Sequence, residues 1–167
     1  IWDKHVDREI EGTSFLRCKI QLEGAADYAF SDGSSWSAKG PIMIFLYQPA
    51  GYIKRESIPC GTRERSVTLA FPVYHDRIVS HGCDDEAVSR AIDNLTDCLF
   101  LRRMRLPPFA FELVEALLGT NPGSRHYDKF RKAKVDEAAC LILDTFLDSF
   151  DAPYSSDLTA REMRQVR

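Results

Sequence analysis

The hydrophobic period of the chain changes at Pro72. Between Phe15 and Leu22 apolar residues occupy every second position, which is the period of a β-strand with one buried face. After Pro72 apolar residues recur every three or four positions, which is the period of an amphipathic helix. A chain divided in this way is expected to adopt an α+β fold.

Five or six short strands are predicted in the first half. Ile42 to Tyr47 is apolar throughout, which is typical of a central strand covered on both faces, and Pro49 ends it because proline supplies no ladder donor. Phe15 to Leu22 and Arg65 to Phe71 alternate in the manner of half-buried strands. Ala26 to Phe30 and Tyr52 to Ile58 are weaker candidates. Short strands separated by turns predict a barrel or a sandwich.

Three helices are predicted in the second half. The acidic run Asp84-Asp85-Glu86 opens a short helix that ends near Ile92 or Leu95, since acidic residues favour the positive end of the helix dipole. Phe109 to Leu118 lies between Pro107-Pro108 and Gly119, the expected boundaries of a helix. The longest helix is predicted from about Ser124 to Phe150.

The apolar stripe of the longest helix is wide. Its members recur at spacings of three and four residues: Phe130, Val135, Ala138, Ala139, Leu141, Ile142, Phe146 and Phe150. Such a helix can pack on its own sheet with one part of the stripe and on a second subunit with the rest, which predicts a two-fold dimer. The alternative is that its own domain covers the whole stripe.

Composition excludes several classes of protein. Hydrophobic residues make up 44% and charged residues 28% of the chain, and the net charge is −3. No apolar run reaches the roughly 20 residues that span a bilayer, so no membrane partner is expected. Scattered basic residues do not form the footprint that nucleic acids require. The five cysteines are widely spaced and never form a C-x-x-C pair, so no structural metal or disulfide framework is predicted and a reducing cytoplasm fits best.

No complete catalytic constellation is visible in the sequence. The metal site of a double-stranded β-helix would offer an H-x-H pair, and none is present. His75 is interpreted as a solvated loop histidine, with proton transfer as the alternative. Arg102, Arg103 and Arg105 are interpreted as solvent-facing residues at the end of a short helix, with anion binding as the alternative. We therefore predict no catalytic residue, no metal ligand and no cofactor.

Aromatic residues on the predicted strands indicate a ligand pocket. The candidates that would line it are Tyr28, Phe30, Trp36 and Tyr47. Arg17 or Arg65 would be the ionic anchor if the ligand is anionic. Small barrels can enclose one small molecule. For any single aromatic residue, an ordinary place in the core is the alternative.

The longest helix contains a stretch with a recognisable order of residues. Phe130, Ala133, Lys134 and Glu137 keep a pattern that resembles the regulatory domain of AraC-type transcription regulators, in particular the branch of the pyochelin-siderophore regulators. The order of the surrounding segments agrees: Phe15 to Gly24, Gln48 to Gly51, Arg65 to Phe71 and Leu158 to Glu162. The resemblance covers roughly Phe15 to Arg167.

This resemblance implies a cupin-like β-barrel that binds a small-molecule effector, followed by helices that form a homodimer. The implied domain limits are residues 1–82 for the barrel, 83–150 for the helical layer and 151–167 for a linker that leads towards a helix-turn-helix domain. The capping box Thr159-Ala160-Arg161-Glu162 fits that reading, and the chain, which starts at Ile1, is expected to be part of a longer protein. DNA and RNA polymerase would be partners only through the full-length protein. Residues expected at the dimer seam are Phe130, Lys134, Glu137, Leu141 and Phe146.

Two other functions stay open. The first is a small cupin-like enzyme, an isomerase or a dioxygenase, and stoichiometric metal bound by His75 and His81 would favour it. The second is a module that only oligomerises, which a barrel without a cavity would favour.

Overall fold

The computed structural model describes residues 4–13, 15–74, 77–78, 99–119, 122–123 and 125–151. The predicted helix that opens at Asp84 and the predicted capping box at Thr159 lie outside the described residues. The strands are β1 Val6–Glu11, β2 Phe15–Glu23, β3 Ala25–Phe30, β4 Ser35–Lys39, β5 Ile42–Gln48, β6 Ile53–Ile58, β7 Arg65–Tyr74, β8 Arg77–Ile78 and β9 Phe100–Met104. The helices are α1 Pro108–Gly119 and α2 Tyr127–Asp151.

Two antiparallel sheets and two helices make up the described fold. Sheet I has the strand order β1-β6-β3-β4, and sheet II has the order β8-β7-β2-β5-β9. The predicted α+β class is confirmed. Among the described residues the two sheets share no strand pairing, so the architecture is two open sheets rather than a closed barrel.

Strand β5 lies inside sheet II and is buried along its whole length. Met43, Phe45 and Tyr47 point towards the helices, whereas the alternate residues Ile44 and Leu46 point towards sheet I. Successive side chains of a strand face opposite sides, so coverage on both faces explains why the run from Ile42 to Tyr47 is apolar throughout. The prediction of a central, doubly covered strand is confirmed.

The helices cover one face of sheet II. In α2 the buried residues Ala138, Ile142 and Phe146 are spaced by four residues, and all three are 0% exposed. Together with Ala110 and Val114 of α1 they join the apolar face of β2, β5 and β7 in one cluster, which we call the helix-side core. The predicted helix from Phe109 to Leu118 is confirmed, and the long helix begins within three residues of its predicted start.

Two of the places where the chain crosses between the sheets are tight corners, β2–β3 and β4–β5. Gly24 connects β2 to β3 with a φ of 138°, a backbone conformation that glycine adopts without the steric cost of a Cβ. The buried Gln21 side chain donates hydrogen bonds from Nε2 to the carbonyl oxygens of Gly24 and Gly40, at 3.3 and 3.2 Å. Gly40 lies at the β4–β5 corner, so the side-chain amide of Gln21 links the β2–β3 corner to the β4–β5 corner.

Strand β9 corrects the prediction for the arginine cluster. Phe100–Met104 pairs with β5 in sheet II, so Arg102 and Arg103 lie in a strand and not at the end of a helix. Phe100 and Met104 pack on the helix-side core while Leu101 packs between the sheets, and this alternate burial stabilises a strand here. Sheet II therefore includes a strand from beyond the predicted boundary at residue 82.

Candidate functional site

A cavity of about 380 Å³ lies between the two sheets. Its walls come from the inward faces of both sheets, and its volume is within the range of small-molecule sites. The lining residues that carry charge are Arg8, Arg17, Lys19, Lys54, Glu56 and Glu64. Four cations and two carboxylates give the lining a net positive charge of two.

Glu56 of β6 is the centre of an ion-pair network in the cavity. Its side chain is 3% exposed, and Arg8 Nε donates to its Oε2 at 2.6 Å. Lys19 Nζ lies 3.8 Å from Glu56 Oε1 and 2.7 Å from Glu64 Oε1, and it also donates to the hydroxyl of Tyr28 at 3.2 Å. Arg8 and Lys19 therefore compensate the two carboxylates at short range.

The other two cations, Lys54 and Arg17, have much weaker compensation. Lys54 is 8% exposed, and its Nζ lies 3.9 Å from Glu56 Oε2 and 5.1 Å from the centre of the Tyr28 ring. Arg17 donates to the hydroxyl of Thr13 at 2.9 Å. Within the described part of the chain, Lys54 Nζ makes no hydrogen bond and Arg17 has no carboxylate within 4.0 Å.

These surroundings change the ionisation of the site. Burial lowers the pKa of Lys54 to about 8, and the attraction of Glu56 is opposed by the charges of Arg17, Lys19 and Arg8. Burial alone would raise the pKa of Glu56, but the hydrogen bond from Arg8 and the nearby cations hold it below its ordinary value. At neutral pH the network is ionised, and Lys54 is the cation closest to losing its proton.

Apolar side chains form the rest of the cavity wall. Tyr28 and Trp36 are stacked, with ring centroids 5.0 Å apart and an angle of 12° between the rings. The other apolar members of the lining are Ile10, Phe30, Ile44, Leu46 and Leu101. A ligand that fills this space would meet charged groups on one part of its surface and hydrocarbon on another.

Four of the six predicted pocket residues line this cavity: Arg17, Tyr28, Phe30 and Trp36. The other two, Tyr47 and Arg65, lie on the opposite face of sheet II. Tyr47 is buried in the helix-side core, and Arg65 pairs with Glu115 of α1 at 2.5 Å. Side chains two residues apart in a strand lie on the same face. Tyr47 and Arg65 therefore face the helices, as Phe45 and Val67 do. Ligand binding by the other four stays a prediction.

The sequence interpretation missed most of the charged lining. Lys19 was not among the predicted pocket residues, and β6 was a weak candidate without a defined inward face. In β6 the buried positions are Lys54, Glu56 and Ile58, whereas Ile53 is 41% exposed. The sequence signal was a Lys and a Glu two residues apart on one strand face, in register with the aromatic residues of β3.

The predicted dimer residues of α2 lie in three different environments. Phe146 is 0% exposed and packs 5.1 Å from the Phe45 ring, so it belongs to the helix-side core and is not at an exposed seam. Lys134 pairs with Glu137 at 2.7 Å within the helix, and Leu141 is half-buried. Phe130 is 44% exposed. A dimer seam stays a prediction.

A serine, a histidine and an aspartate meet at the edge of sheet I. His5 Nε2 lies 3.0 Å from Asp7 Oδ1 and 2.8 Å from Ser57 Oγ. A catalytic triad uses the two different nitrogens of its histidine, one for each partner, whereas here both partners contact Nε2. This cluster therefore joins β1 to β6 without the geometry of a nucleophilic site.

The described residues contain no group of three or more His, Cys, Asp or Glu that could hold a metal ion. His75 and His81, which the enzyme hypothesis requires, lie outside the described residues. Cys18 is buried, and burial raises the pKa of its thiol, so it acts as an apolar core residue. Neither described helix is long and apolar enough to cross a membrane.

Comparison with known proteins gives little similarity. No protein-family profile matches the sequence, and no curated protein matches it. Among solved structures, an apo form of ToxT from Vibrio cholerae strain SCE256 is 9% identical over 95% of this chain and 61% of that chain, with a TM-score of 0.41. A second structure of ToxT from Vibrio cholerae is 11% identical over 96% and 62%, with a TM-score of 0.39. The chain thus spans less than two thirds of the ToxT chains, and similarity at this level does not establish a shared function.

Proposed function

We propose that this chain is the ligand-sensing and dimerisation domain of an AraC-type transcription regulator, with the cupin-like fold of that class. The observation that carries the proposal is the cavity of about 380 Å³ between the sheets. Its mixed charged and apolar lining is typical of sites that bind small molecules. The residue pattern of α2 around Ala133, Lys134 and Glu137 supports the assignment to AraC-type regulators.

The position of the cavity suits a sensor. One wall is the inward face of sheet II, and the opposite face of that sheet carries α1 and α2. A ligand can act at a distance only by binding one arrangement of the protein more tightly than another. A bound ligand that shifts β2 or β5 would also shift the helix-side core, because both strands contribute to both faces.

Dimerisation through the helical layer is the second part of the proposal. Of the large hydrophobic side chains that are exposed in the described residues, four lie on the helices: Phe111, Leu118, Phe130 and Val135. Exposed apolar surface on a helix pair is typical of an interface. DNA and RNA polymerase would be reached through a helix-turn-helix domain of the full-length protein, in a reducing cytoplasm.

Native mass spectrometry of the purified chain tests the proposal, because one measurement gives stoichiometry and any bound small molecule. The expected result is a dimer. Phe130→Glu should give monomers, because a charge would enter an apolar interface. Lys132→Glu is the matched control, since Lys132 is exposed and lies two residues along the helix. A wild-type monomer, or a Phe130→Glu dimer as stable as wild type, contradicts the dimerisation part.

A further inference from the structure

Two cations at one end of the cavity are only weakly compensated by the described residues, because Lys54 lies 3.9 Å from a shared carboxylate and Arg17 has no carboxylate within 4.0 Å. Arg17 and Lys54 lie on facing sheets, near the ends of β2 and β6. Their positive charges repel each other, and this repulsion from Arg17 contributes to the lowered pKa of Lys54. The two carboxylates of the cavity are held by Arg8 and Lys19 at 2.6 and 2.7 Å. The net charge of two therefore resides on Arg17 and Lys54.

Lys54 is the lysine of the cavity with the weaker compensation. It is 8% exposed, yet its ammonium group donates no hydrogen bond to any described residue. The carboxylate oxygen nearest to it, Glu56 Oε2 at 3.9 Å, already accepts from Arg8. Lys54 lines the cavity, where an oxyanion could accept hydrogen bonds from its ammonium group.

Hydrocarbon lies directly beside the two cations. Lys54 is opposite Phe30 across the β3–β6 pair, and Arg17 is opposite Leu46 across the β2–β5 pair. Leu101 of β9 pairs with Leu46 and also lines the cavity. The site thus offers two adjacent positive charges and an apolar wall.

We propose that the cavity binds a small organic carboxylate whose carboxylate group is held by Lys54 and Arg17 and whose apolar body packs on Phe30, Leu46 and Leu101. Guanidinium and ammonium groups form their strongest hydrogen bonds with such oxyanions. This inference rests on the proposed ligand-sensing function and specifies the chemical class of the ligand.

Proton uptake accompanies binding in this arrangement. Lys54 faces Arg17 and Lys19 of β2, Arg8 of β1, Tyr28 of β3 and Glu56 of its own strand, and its pKa is about 8. A bound carboxylate raises that pKa because it stabilises the ammonium form. At pH 8 about half of the unliganded molecules have a neutral Lys54, so binding takes up about half a proton.

The test uses 2-naphthoate and its neutral amide, 2-naphthamide, as probes in isothermal titration calorimetry at pH 7. Naphthoate should bind about tenfold more tightly than naphthamide, which is the usual effect of one charge-assisted hydrogen bond. Lys54→Met should weaken naphthoate binding about tenfold and leave naphthamide binding unchanged. Arg17→Met is the second variant, so the test does not depend on the folding of one protein.

Arg55→Met is the matched control. Arg55 is the next residue along β6, and its side chain is 74% exposed on the outer face, where it pairs with Glu9. This variant should bind both probes as wild type does. A second control is inorganic phosphate, which carries the charge but has no apolar body and should bind more weakly than naphthoate.

Calorimetry at pH 8 in HEPES and in Tris measures the proton uptake, because the two buffers differ in ionisation enthalpy. The binding enthalpies should differ by the heat of about half a proton, and the difference should vanish in Lys54→Met. Above pH 8 the affinity of the wild type for naphthoate should fall, approaching about tenfold per pH unit.

Each contrary outcome has its own meaning. Equal binding of naphthoate and naphthamide, or unchanged naphthoate binding in both variants, overturns the carboxylate site and leaves ligand sensing intact. Phosphate binding as tight as naphthoate binding overturns the organic part of the proposal. If naphthoate does not bind at millimolar concentration, the carboxylate site fails, whereas the ligand-sensing function is tested separately by any small molecule that native mass spectrometry finds bound to the purified chain.

Discussion

The two faces of sheet II differ in what they bury. The face towards the helices buries hydrocarbon, and Leu16, Cys18 and Ile20 of β2 are all 0% exposed there. The face towards sheet I carries Arg17 and Lys19 of the same strand, and both line the cavity. Polar residues on alternate positions of a strand are commonly assigned to solvent. Here a second sheet faces them, so the polar face of the strand forms one wall of a cavity.

The energetic roles of the two faces differ accordingly. Burial of apolar side chains against α1 and α2 stabilises the fold. Burial of charged groups between the sheets costs free energy, and the ion pairs only offset that cost. We therefore infer that the helix side stabilises the fold, and that the charged groups of the cavity side lower this stability but form a site that can bind a ligand.

The largest expected effect tests the helix side. Phe146→Ala removes a fully buried ring that packs 5.1 Å from Phe45 and 5.9 Å from Phe100. The free energy of unfolding should fall by about 4 kcal/mol, from lost apolar burial and the cavity that is left. Urea unfolding followed by circular dichroism measures this change.

Phe130→Ala is the control for that measurement, because it makes the same change in the same helix at a side chain that is 44% exposed. At a protein concentration where the chain is monomeric, its effect should stay below about 1 kcal/mol. Similar losses in the two variants would contradict the assignment of Phe146 to the helix-side core.

The second effect tests the charged face. Glu56→Gln removes the carboxylate that accepts from Arg8 at 2.6 Å and leaves Arg8 and Lys54 near each other without it. The free energy of unfolding at pH 7 should fall by about 3 kcal/mol, the usual loss when one member of a buried pair is removed. Glu56 has a lowered pKa in the folded protein, so its contribution is complete above pH 4.5 and is lost as the pH falls through the folded value. The difference from wild type should close in the same range.

Glu9→Gln provides a close comparison for Glu56→Gln. Glu9 accepts from Arg55 at 2.6 Å across the same β1–β6 pair, but its side chain is 58% exposed. An exposed pair contributes at most about 1 kcal/mol. Equal effects of the two substitutions would show that burial does not govern the stability of these pairs, and would remove the distinction between the two faces.

Much of the fold could be predicted from the sequence because its signals are local. Strand β5 is apolar from Ile42 to Tyr47, and α1 lies between prolines and a glycine. Strands β1, β4, β8 and β9 were not predicted, because they are short and form by pairing with neighbouring strands. For example, β9 is recognisable only once Phe100 and Leu101 are seen to pack on opposite faces of sheet II.

The candidate site could be predicted only in part. Arg17 was predicted as a possible ionic anchor of a pocket, but nothing local shows that sheet I faces its side of β2. In β6 the hydrophobic pattern is misleading, since Ile53 is exposed while Lys54 and Glu56 are buried. The pairing of β6 with β1 and β3 sets which residues point inwards, and pairing depends on contacts distant in sequence.

The smallest effect has the opposite sign and tests the cost of the cavity directly. Lys54→Met removes a buried ammonium group that makes no hydrogen bond with the described residues and keeps a side chain of similar length. The free energy of unfolding at pH 7 should rise by about 1 to 2 kcal/mol. Lys54 has a pKa of about 8 when folded, against an ordinary 10.5, so the folded state disfavours its charged form, and this cost is complete below pH 8. As the pH rises from 8 to 10.5 the wild type recovers that stability, and the advantage of the variant should shrink.

Urea unfolding at pH 7 and pH 10 measures both values, with Arg55→Met as the control that should change by less than about 1 kcal/mol at either pH. A destabilised Lys54→Met at pH 7 would mean that the ammonium group supports the fold, and the division of labour between the two faces of sheet II would not hold.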